Sequence, residues 1–443
     1  MPQSKLWEAF QRQKAVSTDT RKIKSGDIFF ALKGDNFDGN KFAAGALTAG
    51  AAFAVVDDPQ SVPSGDDRYI LVPNVLLALQ HLARQYRETF SIPVVALTGS
   101  NGKTTSKEFI YTALKAGKRA YATQGNLNNH IGVPLTLLAM PQDTEIAVIE
   151  MGANKRYDIE ELVNIALPTH GLITNVGYAH LEGMGGIEGV QRTKGEMFDF
   201  VREHGGMAFV FEGDPRVKAE AHDISKVLGY GGADSPFRLI DREEFEDHQV
   251  LKIQTPSGAV DVTINLLGAH NATNALLAVT VGSHFGIPVP DMQAALAAYI
   301  PRMNRSQLHH QGNRTFLLDA YNANPSSMQA SISAVAEQDH PTVALVLGDM
   351  FELGPTSPEL HAGIWAFARQ ALPMAKIVGI GPHFSATKPA QDQHAVSYPG
   401  VPEAEVGIAQ DLEGYGFVLL KGSRGMALER LLKAMGVNLD AGH

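Results

Sequence analysis

The chain contains no cysteine among its 443 residues, which excludes disulfide bonds, thiolate metal sites, iron–sulfur clusters and cysteine nucleophiles. No apolar run approaches the ~18 residues of a membrane span, so we expect no membrane insertion. The polar N-terminal stretch does not resemble a signal peptide, which favours a cytoplasmic protein. Basic residues are fewer than acidic ones, since 37 Lys and Arg against 47 Asp and Glu give a formal net charge of −10. An acidic chain of this kind shows no obvious basic surface for binding nucleic acid. Any anionic ligand must therefore be held by a local site.

The length predicts about three domains at ~150 residues per domain. Apolar residues make up 44% and charged residues 19%, which suits ordinary globular cores. Short strand signals mixed with helices predict a small α/β domain over residues 1–88. A strand–loop–helix rhythm follows, breaks at Ile300-Pro301 and then resumes, so we place a central domain at 89–303 and a C-terminal domain at 304–443.

Apolar runs without alternation are typical of strands buried on both faces of a parallel sheet. These runs cover residues 92–98, 145–149 and 172–176 in the central domain and 315–318, 343–347, 377–380 and 417–420 in the C-terminal domain. With helices between them, they predict an α/β fold with a central mononucleotide-binding parallel sheet and a C-terminal doubly wound, Rossmann-like sheet. Ligands of such sheets bind beyond the carboxyl ends of the strands, so polar residues there are the first candidates for a site.

A phosphate-binding loop is the sharpest local signal. The apolar run 92–98 leads into a glycine-flanked turn and then a helix, through Gly99, Ser100, Asn101, Gly102, Lys103, Thr104 and Thr105. Its backbone N–H groups and the helix N-terminus would hold the phosphates of ATP, with Lys103 neutralising phosphate oxygens and the Thr104 hydroxyl binding Mg²⁺. The leading glycine of the standard motif is replaced by Leu97, and a glycine-rich turn with a solvated lysine is the alternative. By itself the loop also suits a small-molecule kinase or a nucleotide-dependent switch.

This shortened loop resembles that of the Mur ligase and folylpolyglutamate synthase superfamily. Four further segments agree with the central domain of that superfamily in the same order, namely residues 150–153, 175–182, 194–196 and 268–271. Residues 17–21 and 25–34 resemble the uridine-nucleotide domain of the ligases that add the third residue and the final dipeptide. Residues 126–134, 319–325 and 348–354 resemble the dipeptide-adding branch in particular, and residues 421–424 complete the set. The resemblance implies an ATP-dependent amide ligase of peptidoglycan synthesis, cell-wall biogenesis, cell shape and cell division. It would join D-alanyl-D-alanine to a UDP-N-acetylmuramoyl-tripeptide through an acyl phosphate, with release of ADP and phosphate.

The resemblance also implies a magnesium site. Glu150 matches the family's Mg²⁺-binding glutamate and His180 the histidine of a second metal, although each would otherwise be an ordinary polar residue after a strand. Lys194 matches a lysine that CO₂ carbamylates, which would turn a positive charge into an oxygen ligand for Mg²⁺. A free lysine that pairs with phosphate is the alternative.

Nucleotide and substrate contacts follow from the same resemblance. Arg305 matches an arginine that contacts the γ-phosphate, with Arg302 as an alternative alignment, and Asp319 matches the ribose-binding aspartate. Asn271 would reach the adenine with His270 nearby, unless the pair only caps a helix. The substrate-binding candidates for the uridine diphosphate are Ser17, Thr18, Asp19 and Arg21, and those for the muramoyl-peptide are Asn126, Asn128, Asn129 and His130. Tyr321, Asn322 and Asn324 would lie near the γ-phosphate or the dipeptide, and a C-terminal substrate carboxylate could bind at Lys421, Ser423 and Arg424. Turn and cap chemistry is the alternative for the last set.

Within the superfamily, folylpolyglutamate synthase fits less well, because its phosphate loop lies near the N-terminus. The ligase that adds the third residue shares the first domain, but its Asn-Pro-Arg motif is absent here, where Asn324-Pro325 is followed by Ser326. The identity of the third peptide residue stays open. We expect a monomer whose domains close around a hinge at residues 299–306 when nucleotide binds.

Overall fold

The computed structural model describes residues 2–301 and 304–437. Arg302, the alternative to Arg305, and residues 438–443 of the predicted C-terminal domain lie outside the described residues. The α-helices are α1 (Pro2–Gln13), α2 (Ala43–Thr48), α3 (Val75–Arg87), α4 (Lys103–Lys115), α5 (Gly132–Leu138), α6 (Asp158–Ala166), α7 (Leu181–Met184), α8 (Ile187–Glu203), α9 (Pro215–Glu220), α10 (Ala269–His284), α11 (Val289–Ala297), α12 (Pro325–Ala336), α13 (Ser357–Ala371), α14 (Pro382–Ala386), α15 (Val401–Asp411) and α16 (Glu429–Ala434). Among the described residues, none of these helices is long and apolar enough to cross a membrane.

A four-stranded parallel sheet forms the N-terminal unit. The strands of this part of the chain are β1 (Val16–Ser17), β2 (Ile28–Phe30), β3 (Lys33–Gly34), β4 (Phe37–Asp38), β5 (Phe53–Val56) and β6 (Tyr69–Leu71). The sheet order is β1-β2-β5-β6, and β3 and β4 form a separate antiparallel pair. Helix α3 joins this unit to the next, since the Tyr86 hydroxyl donates to the Met140 carbonyl at 2.8 Å and Arg87 Nε donates to the Ala166 carbonyl at 3.0 Å.

The central unit is built on a six-stranded parallel sheet. Its strands are β7 (Val94–Thr98), β8 (Ala120–Ala122), β9 (Ile146–Glu150), β10 (His170–Ile173), β11 (Met207–Phe211) and β12 (Val227–Tyr230), in the order β12-β11-β10-β7-β9-β8. Successive residues of β7 belong to two different hydrophobic clusters: Val94 and Ala96 pack on one face, and Val95 and Leu97 on the other. Burial on both faces explains why these strands show no polar alternation.

The strand order brings three loops to one edge of the central sheet. Strand β7 lies between β9 and β10, so the residues that follow these three strands meet beyond their carboxyl ends. The predicted strand 172–176 is displaced, because β10 ends at Ile173 and the next residues belong to the loop. Thr174 and Asn175 leave the strand there, since both side chains bond the Asn101 carbonyl, at 2.6 and 3.0 Å.

A small antiparallel sheet, which the sequence analysis missed, follows the central sheet. It consists of β13 (Arg238–Glu244), β14 (Gln249–Thr255) and β15 (Gly258–Ile264) in sequence order. Strand β14 alternates buried and more exposed residues, the pattern of a sheet with one solvated face. Its buried residues Leu251 and Ile253 extend the hydrophobic cluster beneath α4 and α10.

The C-terminal unit is a second six-stranded sheet. Its strands are β16 (Gln307–Gln311), β17 (Arg314–Asp319), β18 (Val343–Gly348), β19 (Lys376–Ile380), β20 (Ala395–Tyr398) and β21 (Phe417–Lys421), in the order β16-β17-β21-β18-β19-β20. All neighbours are parallel except β16, an antiparallel edge strand that the sequence analysis did not foresee. Hydrophobic clusters cover both faces, which confirms the predicted doubly wound sheet. The α/β fold class is therefore confirmed in all three units.

Candidate active site

A cavity of about 500 Å³ opens between the central and C-terminal sheets. Both sides contribute loops that follow parallel strands, as the topology predicts. Its lining includes most of the predicted site residues: Ser100, Asn101, Gly102, Lys103, Thr104, Thr105, Asn126, Asn128, Glu150, His180, His270, Asn271, Arg305, Asp319, Tyr321, Asn322, Asn324 and Lys421. Polar groups from segments more than 200 residues apart in sequence therefore converge on one space.

The phosphate loop occupies the floor of this cavity between β7 and α4. Gly99 and Gly102 have φ angles of 149° and 75°, which side chains other than glycine rarely adopt. Lys103 Nζ donates to the Gly99 carbonyl at 2.6 Å. Burial lowers the pKa of Lys103, Glu150 opposes this shift, and the positive charge of Arg305 adds to it. A desolvated cation at the N-terminus of α4 is suited to binding an anion.

Glu150 ends β9 inside the cavity wall and is 1% exposed. Its Oε1 accepts hydrogen bonds from the Thr104 hydroxyl at 3.1 Å and from Asn128 Nδ2 at 2.7 Å. Its Oε2 is buried without a hydrogen-bond partner. Because a buried carboxylate oxygen is costly to leave unpaired, this atom is positioned to bind a cation.

Lys194 lies on α8, 1% exposed, and does not line the cavity. Its Nζ has no hydrogen-bond partner. Burial lowers its pKa well below the ordinary lysine value, and the nearby Lys103 lowers it further. The neutral amine is therefore favoured in these surroundings.

His180 follows the β10 loop and precedes α7 in a left-handed conformation with φ of 53°. Its Nδ1 faces the carboxylate of Glu352 from the C-terminal unit. Burial lowers the pKa of His180, while the charge of Glu352 opposes this shift. Across residues 2–301 and 304–437, no three His, Asp or Glu side chains are grouped closely enough to hold a metal ion.

The C-terminal wall carries two further charged groups. The Arg305 guanidinium stacks on the Tyr321 ring, with Cζ 3.6 Å from the ring centroid, and its Nε is buried without a partner. Asp319 ends β17, where its Oδ2 accepts from Lys421 Nζ at 2.6 Å and from the Ser331 hydroxyl at 2.9 Å. Burial raises the pKa of Asp319, but the charge and hydrogen bond of Lys421 outweigh burial and lower it.

The start of α10 forms the remaining wall. Burial lowers the pKa of His270 to about 4, so its ring is neutral near pH 7. Asn271 Nδ2 donates to the Leu267 carbonyl at 2.8 Å, and its Oδ1 accepts from Asn274 Nδ2 at 3.2 Å. The Asn271 side chain therefore bonds the chain just before its own helix.

Comparison with known proteins gives the family. Three family models match the chain in sequence: "Mur ligase family, catalytic domain" at residues 13–87, "Mur ligase middle domain" at 97–282 and "Mur ligase, glutamate ligase domain" at 302–424. The UDP-N-acetylmuramoyl-tripeptide–D-alanyl-D-alanine ligase of Bacillus subtilis (strain 168) is 33% identical over 94% of this chain and 92% of its own length. The chain belongs to the Mur ligase family. Its resemblance to the dipeptide-adding branch is thereby confirmed.

Solved structures of the Mur ligase family agree with this fold. MurF from Acinetobacter baumannii superposes with a TM-score of 0.86 at 30% identity, over 96% of this chain and 93% of that one. The MurF ligase from Thermotoga maritima, in complex with ADP, gives a TM-score of 0.84 at 28% identity, over 96% and 97%. The predicted three-part Mur ligase architecture is confirmed by these neighbours.

Several predicted site residues of this Mur ligase family member lie away from the cavity. Asn129 Oδ1 accepts from the backbone N–H groups at the start of α5, and the His130 carbonyl accepts from Gln80. Arg424 is exposed and pairs with Glu429 at 2.6 Å. The residues that do not line the cavity are Ser17, Thr18, Asp19, Arg21, Gly99, Asn129, His130, Lys194, Ser423 and Arg424.

The candidates for the uridine end stay together at the surface of the N-terminal sheet. Asp19 binds Arg21 through two hydrogen bonds of 2.9 Å and also accepts from the Arg21 backbone. This guanidinium lowers the pKa of Asp19 to about 2. The Ser17 side chain accepts from the Asp19 backbone at 3.3 Å. The Mur ligase segment 17–21 is thus a compact charged turn.

Sequence reasoning missed several polar residues of the site, and Asn274 and Asn175 show why. Asn274 lines the cavity, accepts from the Ser106 hydroxyl at 3.0 Å and lies against Gly102. Its spacing of three from Asn271 on a helix was a signal that could have found it. Asn175 accepts from the Asn101 N–H at 3.0 Å, and its place within the Mur ligase segment 175–182 pointed to it.

Proposed function

We propose that this chain is an ATP-dependent ligase that joins the carboxylate of a UDP-N-acetylmuramoyl-tripeptide to the amine of D-alanyl-D-alanine. The products are UDP-N-acetylmuramoyl-pentapeptide, ADP and phosphate, within peptidoglycan synthesis. The observation that carries the proposal is the 33% identity to a ligase of that name over nearly the whole chain, combined with cations on both walls of one cavity.

The reaction needs those cations. A carboxylate is a poor electrophile, so its oxygen first attacks the γ-phosphorus of ATP to give an acyl phosphate and ADP. The amine of the dipeptide then attacks the acyl carbon, and phosphate leaves. Two unit negative charges at ~4 Å repel by about 4 kcal/mol at an effective dielectric near 20. Lys103 and Arg305 face the cavity from opposite sheets and offset this repulsion.

The nucleotide is held mainly by the central unit in this proposal. The loop from Gly99 to Thr105 binds the phosphates, and Lys103 exchanges its bond to the Gly99 carbonyl for a phosphate oxygen. His270 and Asn271 lie at the adenine end. Asp319, held by Lys421 and Ser331, binds the ribose hydroxyls from the C-terminal sheet.

The site also fits Mg²⁺, which prefers oxygen ligands. Glu150 Oε2 is the buried oxygen without a partner, and the Thr104 hydroxyl lies beside Oε1 of the same carboxylate. His180 would serve a second ion. When bound, Mg²⁺ would neutralise phosphate charge and polarise the bond that breaks.

Lys194 is proposed to carry a carbamate. A neutral amine attacks CO₂ to form N–COO⁻ and releases one proton, and burial favours that neutral amine. The modification would supply a carboxylate from α8 to the same ions. Electron density at the lysine tip, or mass spectrometry in bicarbonate, tests it. A plain ammonium group in a nucleotide-bound crystal would contradict it.

The three units divide the substrates between them. Residues 1–88 would bind the uridine diphosphate end, residues 89–303 ATP, and residues 304–443 the dipeptide. The muramoyl-peptide would pass along the loop 126–130. The proposed uridine and peptide contacts are Ser17, Thr18, Asp19, Arg21, Asn126, Asn128, Asn129 and His130. The proposed dipeptide contacts are Tyr321, Asn322, Asn324, Lys421, Ser423 and Arg424.

We also propose that the enzyme is a cytoplasmic monomer that binds no nucleic acid and does not insert into the membrane. Its proposed substrates, ATP and a nucleotide sugar, are small anions of the cytoplasm. The net charge of −10 opposes binding to nucleic acid.

Phosphate release by the purified protein tests the proposal. With ATP and Mg²⁺ present, the nucleotide-sugar tripeptide and the dipeptide are added separately and together. We expect release only when both are present, with formation of the pentapeptide. Release that ignores the dipeptide would contradict the assignment, and a stable phosphorylated product would indicate a kinase instead.

A further inference from the structure

The loop of residues 349–354 crosses from the C-terminal sheet towards the central unit. Its base is tied down within its own unit by three backbone and side-chain contacts. Asp349 accepts from the backbone N–H groups of His383 and Phe384 at 3.0 and 2.8 Å. The next residue, Met350, donates its N–H to Nε2 of the buried His361 at 3.0 Å. The loop therefore projects from a rigid base.

The tip of the 349–354 loop meets the central unit at His180. Glu352 has φ of 61° and His180 has φ of 53°, so both are non-glycine residues in the left-handed region. Such conformations are uncommon and cluster at functional sites. The two side chains contact each other through the Glu352 carboxylate and His180 Nδ1. Two strained positions from different sheets thus face one another.

The loop ends at a glycine in the left-handed region. Gly354 has φ of 59° and lies in ordinary van der Waals contact with Glu182 of the central unit. The Phe351 N–H donates to the Ser423 hydroxyl at 3.0 Å, which links the loop to the segment after β21. Several contacts therefore place Glu352 at one point of the domain boundary.

We propose that Glu352 is a positioning residue that holds the His180 ring from the opposite domain. The Glu352 carboxylate lies against Nδ1 as an ion-pair contact, although the two groups do not have hydrogen-bond geometry. A negative charge there favours the proton on Nδ1 and leaves the Nε2 lone pair for a ligand in the cavity. Because Glu352 belongs to the C-terminal unit, His180 is oriented only while the two units are docked. The inference rests on the proposed function, since it assigns His180 a role in that reaction.

An exposed ion pair without function is the alternative. The Glu352 side chain is 60% exposed, and exposed pairs contribute little to stability. Removing the Glu352 carboxylate distinguishes a functionless ion pair from a positioning residue. Loss of a functionless pair leaves metal binding and turnover unchanged, whereas loss of a positioning residue changes both.

Glu352→Gly is the decisive variant, because glycine adopts φ of 61° without strain and keeps the backbone path. We expect a melting temperature no lower than that of the unmodified protein, kcat reduced 10- to 100-fold and KM for ATP nearly unchanged. Mn²⁺ binding in the presence of a non-hydrolysable ATP analogue, followed by electron paramagnetic resonance, should weaken by a similar factor. Glu352→Gln should recover part of both, since its amide oxygen keeps a polar contact with His180 Nδ1.

Glu405→Gln is the matched control. Glu405 pairs with Arg430 at 2.8 Å elsewhere in the C-terminal unit, so this variant removes one carboxylate without affecting the cavity. It should retain the turnover and Mn²⁺ affinity of the unmodified protein. In a His180→Ala background, Glu352→Gly should cause no further loss, because Glu352 acts through His180.

Unchanged Mn²⁺ affinity and turnover in Glu352→Gly would overturn the inference, as would an additional loss in the double variant. Failure of the proposed function has a different signature, namely an unmodified protein that releases no phosphate in response to the dipeptide. The Mn²⁺ measurement still decides the role of Glu352 in that event.

Discussion

Glu150 combines full burial with one satisfied oxygen and one free oxygen. Thr104 and Asn128 both donate to Oε1, so the side chain is held in one orientation, while Oε2 has no partner. An amide in the same place would keep the oxygen that these groups need and would remove the buried charge. Stability and function should therefore respond in opposite directions to such a change.

Glu150→Gln should lower kcat for phosphate release by about 100-fold, because a preorganised charge at the phosphates is lost. The half-saturating Mg²⁺ concentration should rise. The melting temperature should stay the same or increase, since a neutral amide costs less to bury than a carboxylate. Steady-state kinetics over a Mg²⁺ series and thermal unfolding provide the measurements.

Glu145→Gln is the control for this prediction. Glu145 lies just before β9, at the opposite end of the strand from Glu150, and pairs with Arg119 at the surface. It should keep full activity. Equal activity of Glu150→Gln and Glu145→Gln would contradict a metal-binding role for Glu150.

Single residues differ in how far the sequence could predict them. Lys103 follows an apolar strand and a glycine-flanked turn, so a linear pattern was enough to find it. Glu150 also follows an apolar strand, but its proposed metal role came from the family resemblance. Glu352 and Asn274 take their roles from contacts with distant segments, His180 and Gly102 respectively. Such contacts depend on packing between elements, which a single sequence does not encode in its periodicity.

At the scale of elements, the β7–α4 connection depends on close approach of the backbone. A Cβ atom on Gly99 would lie 1.9 Å from the Thr174 hydroxyl, whose oxygen donates to the Asn101 carbonyl. Gly99→Ala should therefore destabilise the protein by about 2–4 kcal/mol and weaken ATP binding at least tenfold. Thermal unfolding and calorimetric titration with an ATP analogue test both effects.

Gly363→Ala is the control for adding a methyl group to a glycine. Gly363 lies in α13, and an added Cβ there meets no atom within 4 Å. This variant should gain about 0.5–1 kcal/mol through helix propensity and should bind nucleotide normally. Normal ATP binding by Gly99→Ala would show that the phosphate loop tolerates displacement from Thr174.

The join between β10 and α10 predicts a pH dependence of stability. The His170 ring lies beside Phe209, His284 and Phe285, and burial, with smaller contributions from His284 and Lys226, lowers its pKa to about 4. In the unfolded chain a histidine titrates near ~6.5. Above that pH both states are neutral, and below it the unfolded state binds the proton more tightly. Folding stability is therefore complete above pH 6.5 and declines as the pH falls towards 4.

At pH 5 the preference of the unfolded chain for the His170 proton lowers the free energy of unfolding by about 2 kcal/mol. His170→Phe keeps an aromatic ring and removes the titrating group. Relative to this variant, the melting temperature of the unmodified protein should drop by roughly 4–8 °C between pH 7.5 and pH 5. Parallel pH profiles of the two proteins would contradict a neutral buried ring at His170.

Elements marked by long apolar runs were predictable, and those set by tertiary context were not. The strands expected over residues 343–347 and 417–420 are present, and each ends one residue later, at Gly348 and Lys421. The antiparallel strands β13–β15 were not predicted, because charged residues such as those of β13 interrupt the apolar pattern that identifies a strand. Their pairing with each other compensates for weak local propensity.

At the scale of the whole molecule, the central and C-terminal units touch at several places besides the His180–Glu352 contact, and two of these bear on closure. Near the phosphate loop, Asn324 Nδ2 donates to Asn101 Oδ1 at 2.7 Å. Farther along, Arg242 of β13 pairs with Glu337, just after α12. Neither contact could be read from the sequence, because the orientation of two folded units depends on surface complementarity rather than on local pattern. The hinge predicted at residues 299–306 stays a prediction.

Substitutions at the Arg242–Glu337 pair test whether the two units close. Glu337→Arg places two positive charges together and should favour the open arrangement. Without nucleotide, the radius of gyration from small-angle scattering should increase, and KM for ATP should rise about fivefold for a shift of about 1 kcal/mol. The charge-swapped pair, Arg242→Glu with Glu337→Arg, should restore both values only in part. The attraction is re-formed with reversed polarity, but a carboxylate at position 242 also lies beside Glu244, which pairs with Arg242 at 3.1 Å.

Closure itself is tested on the unmodified protein. ATP analogue, tripeptide substrate and Mg²⁺ together should reduce the radius of gyration, since the proposed function has Arg305 and Asp319 contact a nucleotide held by the opposite sheet. Glu337→Arg should need more analogue to reach the same compact state, while Glu405→Gln should follow the unmodified protein. Equal compactness with and without ligands would mean that the two units are docked permanently, and the hinge at residues 299–306 would then have no part in turnover.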